Sequence, residues 1–249
     1  MTISLRSEDD AIGGKTMKQF MKLMLTGTVV CVMASVSHGA SSNNRSLTVV
    51  ELFTSQGCSS CPPANSNLIK LNKREDVLTL SFAVTYWDYL GWKDLFGKQE
   101  FTDRQIAYEA PLHQSGPFTP QMVVNGTKTV VGNNLAELTE LLSTASRLTG
   151  PSITLGHSRA EIGRGDVPRS AADVWLIRYD PNVVNVPIAR GENAGSTLPH
   201  THVVHALKPL GQWDGSPATF DFPKAPDGLR TAILIQEQQG GPILAAATD

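Results

Sequence analysis

The run over residues 49–65, VVELFTSQGCSSCPPAN, constrains this chain more than any other. An apolar stretch of strand character, residues 47–53, breaks into a short polar turn. That turn delivers Cys58 and Cys61 to the start of a segment with helical spacing, so strand, cysteine pair and helix N-terminus follow in succession. The order has a chemical reason. The thiolate is the reactive form of cysteine, and the partial positive charge at a helix N-terminus favours it over the thiol. Cys58 sits where that effect is largest, and Cys61 is placed to attack a mixed disulfide formed at Cys58. Cys58 therefore reads as nucleophile and Cys61 as resolving thiol.

The following residues complete a βαβ unit. Pro62 and Pro63 are tolerable in a first helical turn, where no amide hydrogen is needed. Ala64, Leu68, Ile69 and Leu71 make the apolar stripe of a helix running to about Lys73. Residues 77–84 form an apolar run interrupted only by Thr79 and Ser81, as suits a parallel strand buried on both faces. Ligands gather beyond the carboxyl ends of such strands, so Tyr86, Trp87 and Asp88 should lie near the cysteines. Tyr89, Gly91, Trp92 and Lys93 continue this loop. Tyr86, Trp87, Asp88 and Trp92 are the candidate substrate wall, and the bland alternative is an aromatic anchor packed on the core. Thr102 and Gln105 have capping-box spacing, which predicts a helix over residues 102–109. Asn125-Gly126 between two apolar runs predicts a tight hairpin, and Asn134 a capped helix through Arg147. Gly150-Pro151 is a natural boundary, after which short β-rich runs suggest a small β-sandwich.

Strand, CxxC and helix, followed later by Thr119-Pro120 and a strand, resemble the thioredoxin superfamily. The fuller string GCSSCPPAN, with YWDYLGW, RQ and TPQMVVNG downstream, looks like the bacterial secreted thioredoxin-like family known as domain of unknown function 1223, over about residues 47–249. The resemblance implies an α/β thioredoxin-like domain over residues 46–149, with a helical insertion at 86–116. A small all-β, sandwich-like domain over 151–249 would follow. It also implies that Pro120 is cis and faces Cys58, with the backbone beside Thr119 free to pair with a substrate strand. This chain departs from the family pattern at Ala83 and Thr85, where His and Asp often stand. The buried acid of thioredoxins falls at Leu52, and the neighbouring Glu51 points to the other strand face.

The N-terminus bears on compartment. Lys18 and Lys22 precede an apolar stretch over residues 23–36 that gives way to Ser37, His38, Gly39 and Ala40. This reads as a secretory signal peptide over residues 1–40, with Met17 as the true start and cleavage near Gly39 or Ala40. The mature protein would be periplasmic or secreted, off the membrane, and would keep only Cys58 and Cys61, since Cys31 lies in the apolar core. A net charge of −2 without a basic cluster gives no footprint for nucleic acid.

As a staple, the cysteine pair closes a four-residue loop for roughly 2 kcal/mol, against about 3 for a fifteen-residue loop, so a redox role is the better reading. Structural zinc needs about four ligands and a lone CxxC offers two. His200, His202 and His205 form the one possible metal cluster, with a solvated strand face as the alternative, and His113 is a further candidate partner for the thiolates. No cofactor and no resident metal are expected. The leading expectation is an exported thiol–disulfide oxidoreductase acting on periplasmic or secreted protein substrates. The alternatives are a module handling a soft ion such as Cu(I), and a binding protein in which the disulfide merely rigidifies a loop.

Overall fold

Strand β1 (Thr48–Thr54) sends alternate side chains into two cores. Val49 and Phe53 join Leu78, Leu80 and Phe82 on one face, while Val50 and Leu52 meet Ala64, Leu68 and Leu71 on the other. This computed structural model describes residues 47–169 and 171–249, so the signal-peptide expectation lies outside the described residues. Helix α1 (Pro62–Leu71) covers the second face and leads to β2 (Val77–Ala83), which is parallel to β1 from Thr48↔Val77 to Thr54↔Ala83. The helix stops at Leu71 rather than Lys73.

A single 3₁₀ turn, Asp88–Leu90, and helix α2 (Gln99–Ala107) precede β3 (Gln121–Val124) and β4 (Lys128–Val130). Helix α2 begins before Thr102, with Lys98 as its extended N-cap residue. The Thr102 hydroxyl has another use: it accepts the Thr85 amide at 3.0 Å, satisfying a donor just past the end of β2. The hairpin turns on Asn125 and Gly126, both at positive φ (50° and 67°), and Thr127 N–H closes it on the Val124 carbonyl at 3.0 Å. Asn134 caps α3 (Leu135–Thr144) by accepting the Ala136 and Glu137 amides, and this helix ends short of Arg147. Leu138 and Leu142 seat α3 beside α1 on the same face of the sheet, and Phe101 of α2 packs on the opposite face.

The later residues form β5 (Ile153–Leu155), β6 (Arg159–Ile162), β7 (Ala172–Pro187), β8 (Thr197–Trp213), β9 (Ala218–Asp221), β10 (Arg230–Glu237) and β11 (Ile243–Thr248). They are not set apart as a second domain. One eight-stranded sheet runs β11-β10-β7-β8-β2-β1-β3-β4, and β5, β6 and β9 make a small three-stranded sheet. The physical reason lies in β2, which is buried along its whole length and needs a neighbour on each edge. Strand β8 supplies the second, running parallel to it at Ser81↔Val203. Where short β-rich runs were expected, β7 is one long strand that stays paired to β8 through register shifts.

Between these halves lies a buried polar network. Arg104 Nε donates to Glu51 Oε1 at 2.6 Å, the Tyr108 hydroxyl donates to Glu51 Oε2, and Arg104 Nη2 donates to Gln236 Oε1 at 3.1 Å. Gln236 Nε2 in turn donates to the Tyr108 oxygen at 3.0 Å. Burial pulls the Arg104 guanidinium down, but the Glu51 charge, the Tyr108 oxygen and the Glu51 hydrogen bond together outweigh it, so its pKa is raised and Arg104 stays protonated. Burial pushes the Tyr108 hydroxyl well up.

Candidate functional site

Cys58 and Cys61 are joined as a disulfide, with Cα atoms 5.5 Å apart, at the mouth of α1. The turn that carries them is closed by its own backbone: Cys58 N–H bonds the Ser55 carbonyl and Cys61 N–H the Cys58 carbonyl, each at 3.2 Å. Cys61 is the N-cap residue, and Pro62 and Pro63 occupy the first helical positions, where their missing amide hydrogens cost nothing. Both cysteines are fully buried, whereas Ser59 and Ser60 between them are exposed.

The Thr119-Pro120 bond is cis, as expected. The Thr119 carbonyl oxygen lies 3.8 Å from Cys58 Sγ, and Ser60 Oγ lies 3.2 Å from the same sulfur. Trp87 Nε1 donates to Thr119 Oγ1 at 2.7 Å, which brings Trp87, Thr119 and Cys58 into one cluster. Trp92 reaches the turn from another side, donating to Gln56 Oε1 at 2.9 Å. The Tyr86 ring sits beside Trp87, and burial pushes its hydroxyl up to about 12 against the pull of Gln105 and Thr119. Asp88 serves its own loop, accepting the Asp94 amide at 3.1 Å. Tyr89 stacks on Trp87 and leaves 78% of its surface exposed, and Leu95 nearby in sequence is 66% exposed.

Several residues at this site were given no role from the sequence. Asp94 is buried and accepts the Gln56 amide at 2.7 Å and the Phe96 amide at 2.9 Å. Burial pushes its carboxyl up to about 6, against those backbone bonds. Asn193 Nδ2 donates to the Gln56 carbonyl at 2.9 Å and the Cys58 carbonyl at 2.8 Å, and Glu192 Oε2 accepts the Ser59 amide at 2.9 Å. Both belong to the loop between β7 and β8, whose Gly191-Glu192-Asn193-Ala194-Gly195 string reads in isolation as ordinary turn chemistry.

The histidines do not gather. His200 and His205 flank the Phe96 ring at 5.8 and 6.0 Å between ring centroids. His202, at φ 47°, turns instead to Thr79, with Nδ1 3.0 Å from Oγ1 and 2.8 Å from the carbonyl oxygen. Burial pushes His200 down to about 4. His113 is exposed. Among the described residues no group of three His, Cys, Asp or Glu side chains is placed to hold a metal ion. No helix among them is long and apolar enough to cross a membrane.

No curated protein matches the chain. The crystal structure of a structural-genomics target from Agrobacterium tumefaciens is similar at 34% identity and TM-score 0.65, over 81% of this chain and 92% of that one. HBP35 of Porphyromonas gingivalis, at 15% identity and TM-score 0.55, is similar in fold over 82% of this chain and 75% of its own. The model of the family described as "Protein of unknown function (DUF1223)" matches residues 49–236, spanning the cysteine turn, the cis-proline segment and the Glu192 loop, and the chain belongs to that family.

Proposed function

We propose that this protein is an exported thiol–disulfide oxidoreductase of thioredoxin-like design, acting through Cys58 and Cys61 on periplasmic or secreted proteins. The observation that carries the reading is the disulfide at the mouth of α1, with Cys58 Sγ 3.8 Å from the Thr119 carbonyl beside cis-Pro120. Support for the thioredoxin-like reading of residues 46–149, with its insertion at 86–116, comes from the parallel β1–α1–β2 unit, the β3–β4 hairpin and α3. The second half is then an extension of that sheet, reaching back to the cysteine turn through Glu192 and Asn193. The export reading rests on the lysines and apolar run at residues 18–36.

In the oxidising direction a substrate thiolate attacks Cys58 Sγ, the Cys58–Cys61 bond breaks, and Cys61 leaves as a thiolate at the helix mouth. A second substrate thiolate then attacks the substrate sulfur, so the substrate gains a disulfide and the pair gains two electrons. In the reducing direction Cys58 attacks a substrate disulfide and Cys61 resolves the adduct. Backbone at Thr119 would pair with the substrate strand, with Trp87, Tyr86 and Trp92 as its wall. Because both cysteines are buried, exchange requires the cover at Ser60 and Thr119 to part.

That same burial favours a second reading, in which the disulfide is a structural staple and the protein binds a partner without exchange. The reduction potential separates the two: about −120 to −270 mV is the span of exchange catalysts, whereas a structural disulfide falls below about −300 mV. Turnover provides the second test. Wild type should exchange disulfides between glutathione and a reduced or scrambled protein, and Cys58→Ser should abolish this. Equal activity of the two proteins would refute the proposal.

A further inference from the structure

The loop after β7 holds its glutamate in a fixed place. Gly195 N–H bonds the Ile188 carbonyl at 2.8 Å, Ile188 N–H bonds the Ser196 carbonyl at 2.9 Å, and Ala194 N–H bonds the Gly191 carbonyl at 3.2 Å. Gly191, at φ 79°, lies so close to the cysteine turn that a Cβ there would stand 3.8 Å from Gly57 Cα. Asn193 then ties the loop to the Gln56 and Cys58 carbonyls. So anchored, Glu192 accepts the Ser59 amide at 2.9 Å and sets a carboxylate one peptide unit from Cys58. Among the described residues the ion pairs join Arg74 to Asp76, Arg104 to Glu51 and Arg159 to Asp221, and none of them engages Glu192.

We propose that Glu192 tunes the redox couple: its carboxylate opposes ionisation of Cys58 in the reduced protein and so holds the Cys58–Cys61 pair toward the disulfide. The inference rests on the exchange reading only in taking Cys58 as the thiol that ionises. A nearby negative charge disfavours a thiolate, and a less stable reduced form means a more reducing couple. Reduction by glutathione shows where the charge acts. One glutathione thiolate attacks Cys58 Sγ, the Cys58–Cys61 bond breaks, and Cys61 leaves. A second glutathione thiolate attacks the glutathione sulfur of the adduct, giving oxidised glutathione and releasing Cys58. Two electrons enter the protein pair. The two glutathione thiols supply two protons, one of which goes to solvent when Cys58 stays ionised, and that ionised product is the species Glu192 destabilises.

The test compares wild type with Glu192→Gln, which loses the charge but keeps an amide oxygen able to accept the Ser59 N–H bond. The thiol acidity of Cys58 is read from alkylation rate against pH, and the couple from equilibration with glutathione at a pH above the midpoint that the alkylation gives. In the variant the acid dissociation constant of Cys58 and the equilibrium constant for reduction should each rise about three- to tenfold. The second corresponds to about 14–30 mV, at about 30 mV per tenfold. Both differences should shrink in 1 M salt, where the Debye length is about 3 Å. Glu192→Ala should move both readouts the same way. If Glu192→Gln matches wild type in both, whether or not the alanine variant departs, the carboxylate is only a latch and the proposal fails. Neither readout uses a protein substrate. An inactive wild type with a shifted glutamine variant would refute the proposed function alone, and an active wild type with an unshifted variant would refute this inference alone.

Discussion

Midway along β1, Glu51, Arg104, Tyr108 and Gln236 satisfy one another side chain to side chain, in a site closed to solvent. Beyond the end of the same strand, the turn at residues 55–58 is held largely through its backbone, by Asp94 on the Gln56 amide and Asn193 on the Gln56 and Cys58 carbonyls. Both clusters join residues far apart in the chain. In the first, every functional group is occupied by a partner, and a buried charge pair of this kind is poor evidence of net stabilisation but severe when broken. In the second, the side chains that hold the turn leave the cysteine sulfurs to their own chemistry. The first arrangement suits a rigid joint, and the second suits the proposed exchange site, a loop that must be positioned without being consumed.

The sharpest way to break this contrast is Arg104→Met, which leaves Glu51 buried without its cation. It should lose about 3–5 kcal/mol of stability in urea unfolding, while the folded protein keeps the wild-type potential of the cysteine pair. A variant with unchanged stability would show that the network is not a joint.

Next comes Asp94, whose carboxyl titrates near about 6 in the folded protein against about 3.9 unfolded. The native state therefore holds its proton to higher pH. The resulting stability is fully present below about pH 4 and is lost as pH rises through about 6, amounting to roughly 2–3 kcal/mol. In Asp94→Asn that contribution disappears. The stability of wild type relative to the variant should fall over this window, as followed by urea titrations at several pH values. A constant difference would mean that the carboxylate is better solvated than its burial implies.

The smallest effect is expected of Asn193→Ala. The Cys58 carbonyl keeps its bond from Cys61, so the chief loss is the donor to the Gln56 carbonyl, about 1–2 kcal/mol. The more telling readout is the rate at which a small reductant opens the disulfide, which should rise as the turn loosens. An unchanged rate would move the restraint on the turn to Asp94.

How much of this was legible beforehand can be argued residue by residue. Asn125-Gly126 imposed its turn and Asn134 its cap, because each acts on backbone within a few residues. Thr102 misled for the complementary reason: its capping-box spacing was real, but a distant amide at Thr85 claimed the hydroxyl. The alternation expected to align His200 and His202 failed where β8 turns at His202, a register shift that follows from pairing with β7.

By itself, then, the amino-acid order determined the strand–cysteine–helix unit, the hairpin, and the β-rich character of the second half, whereas the cis Thr119-Pro120 bond followed from the family resemblance and not from the local string. Periodicity, proline and glycine act over a few bonds and leave their mark in the local string. Only the tertiary structure decided that the second half would extend the first half's sheet, and that Asn193 and Glu192 would meet the cysteine turn from more than a hundred residues away. An open edge on a buried strand can be closed by any suitable strand. An asparagine in a loop carries no local sign of which distant carbonyl it will satisfy.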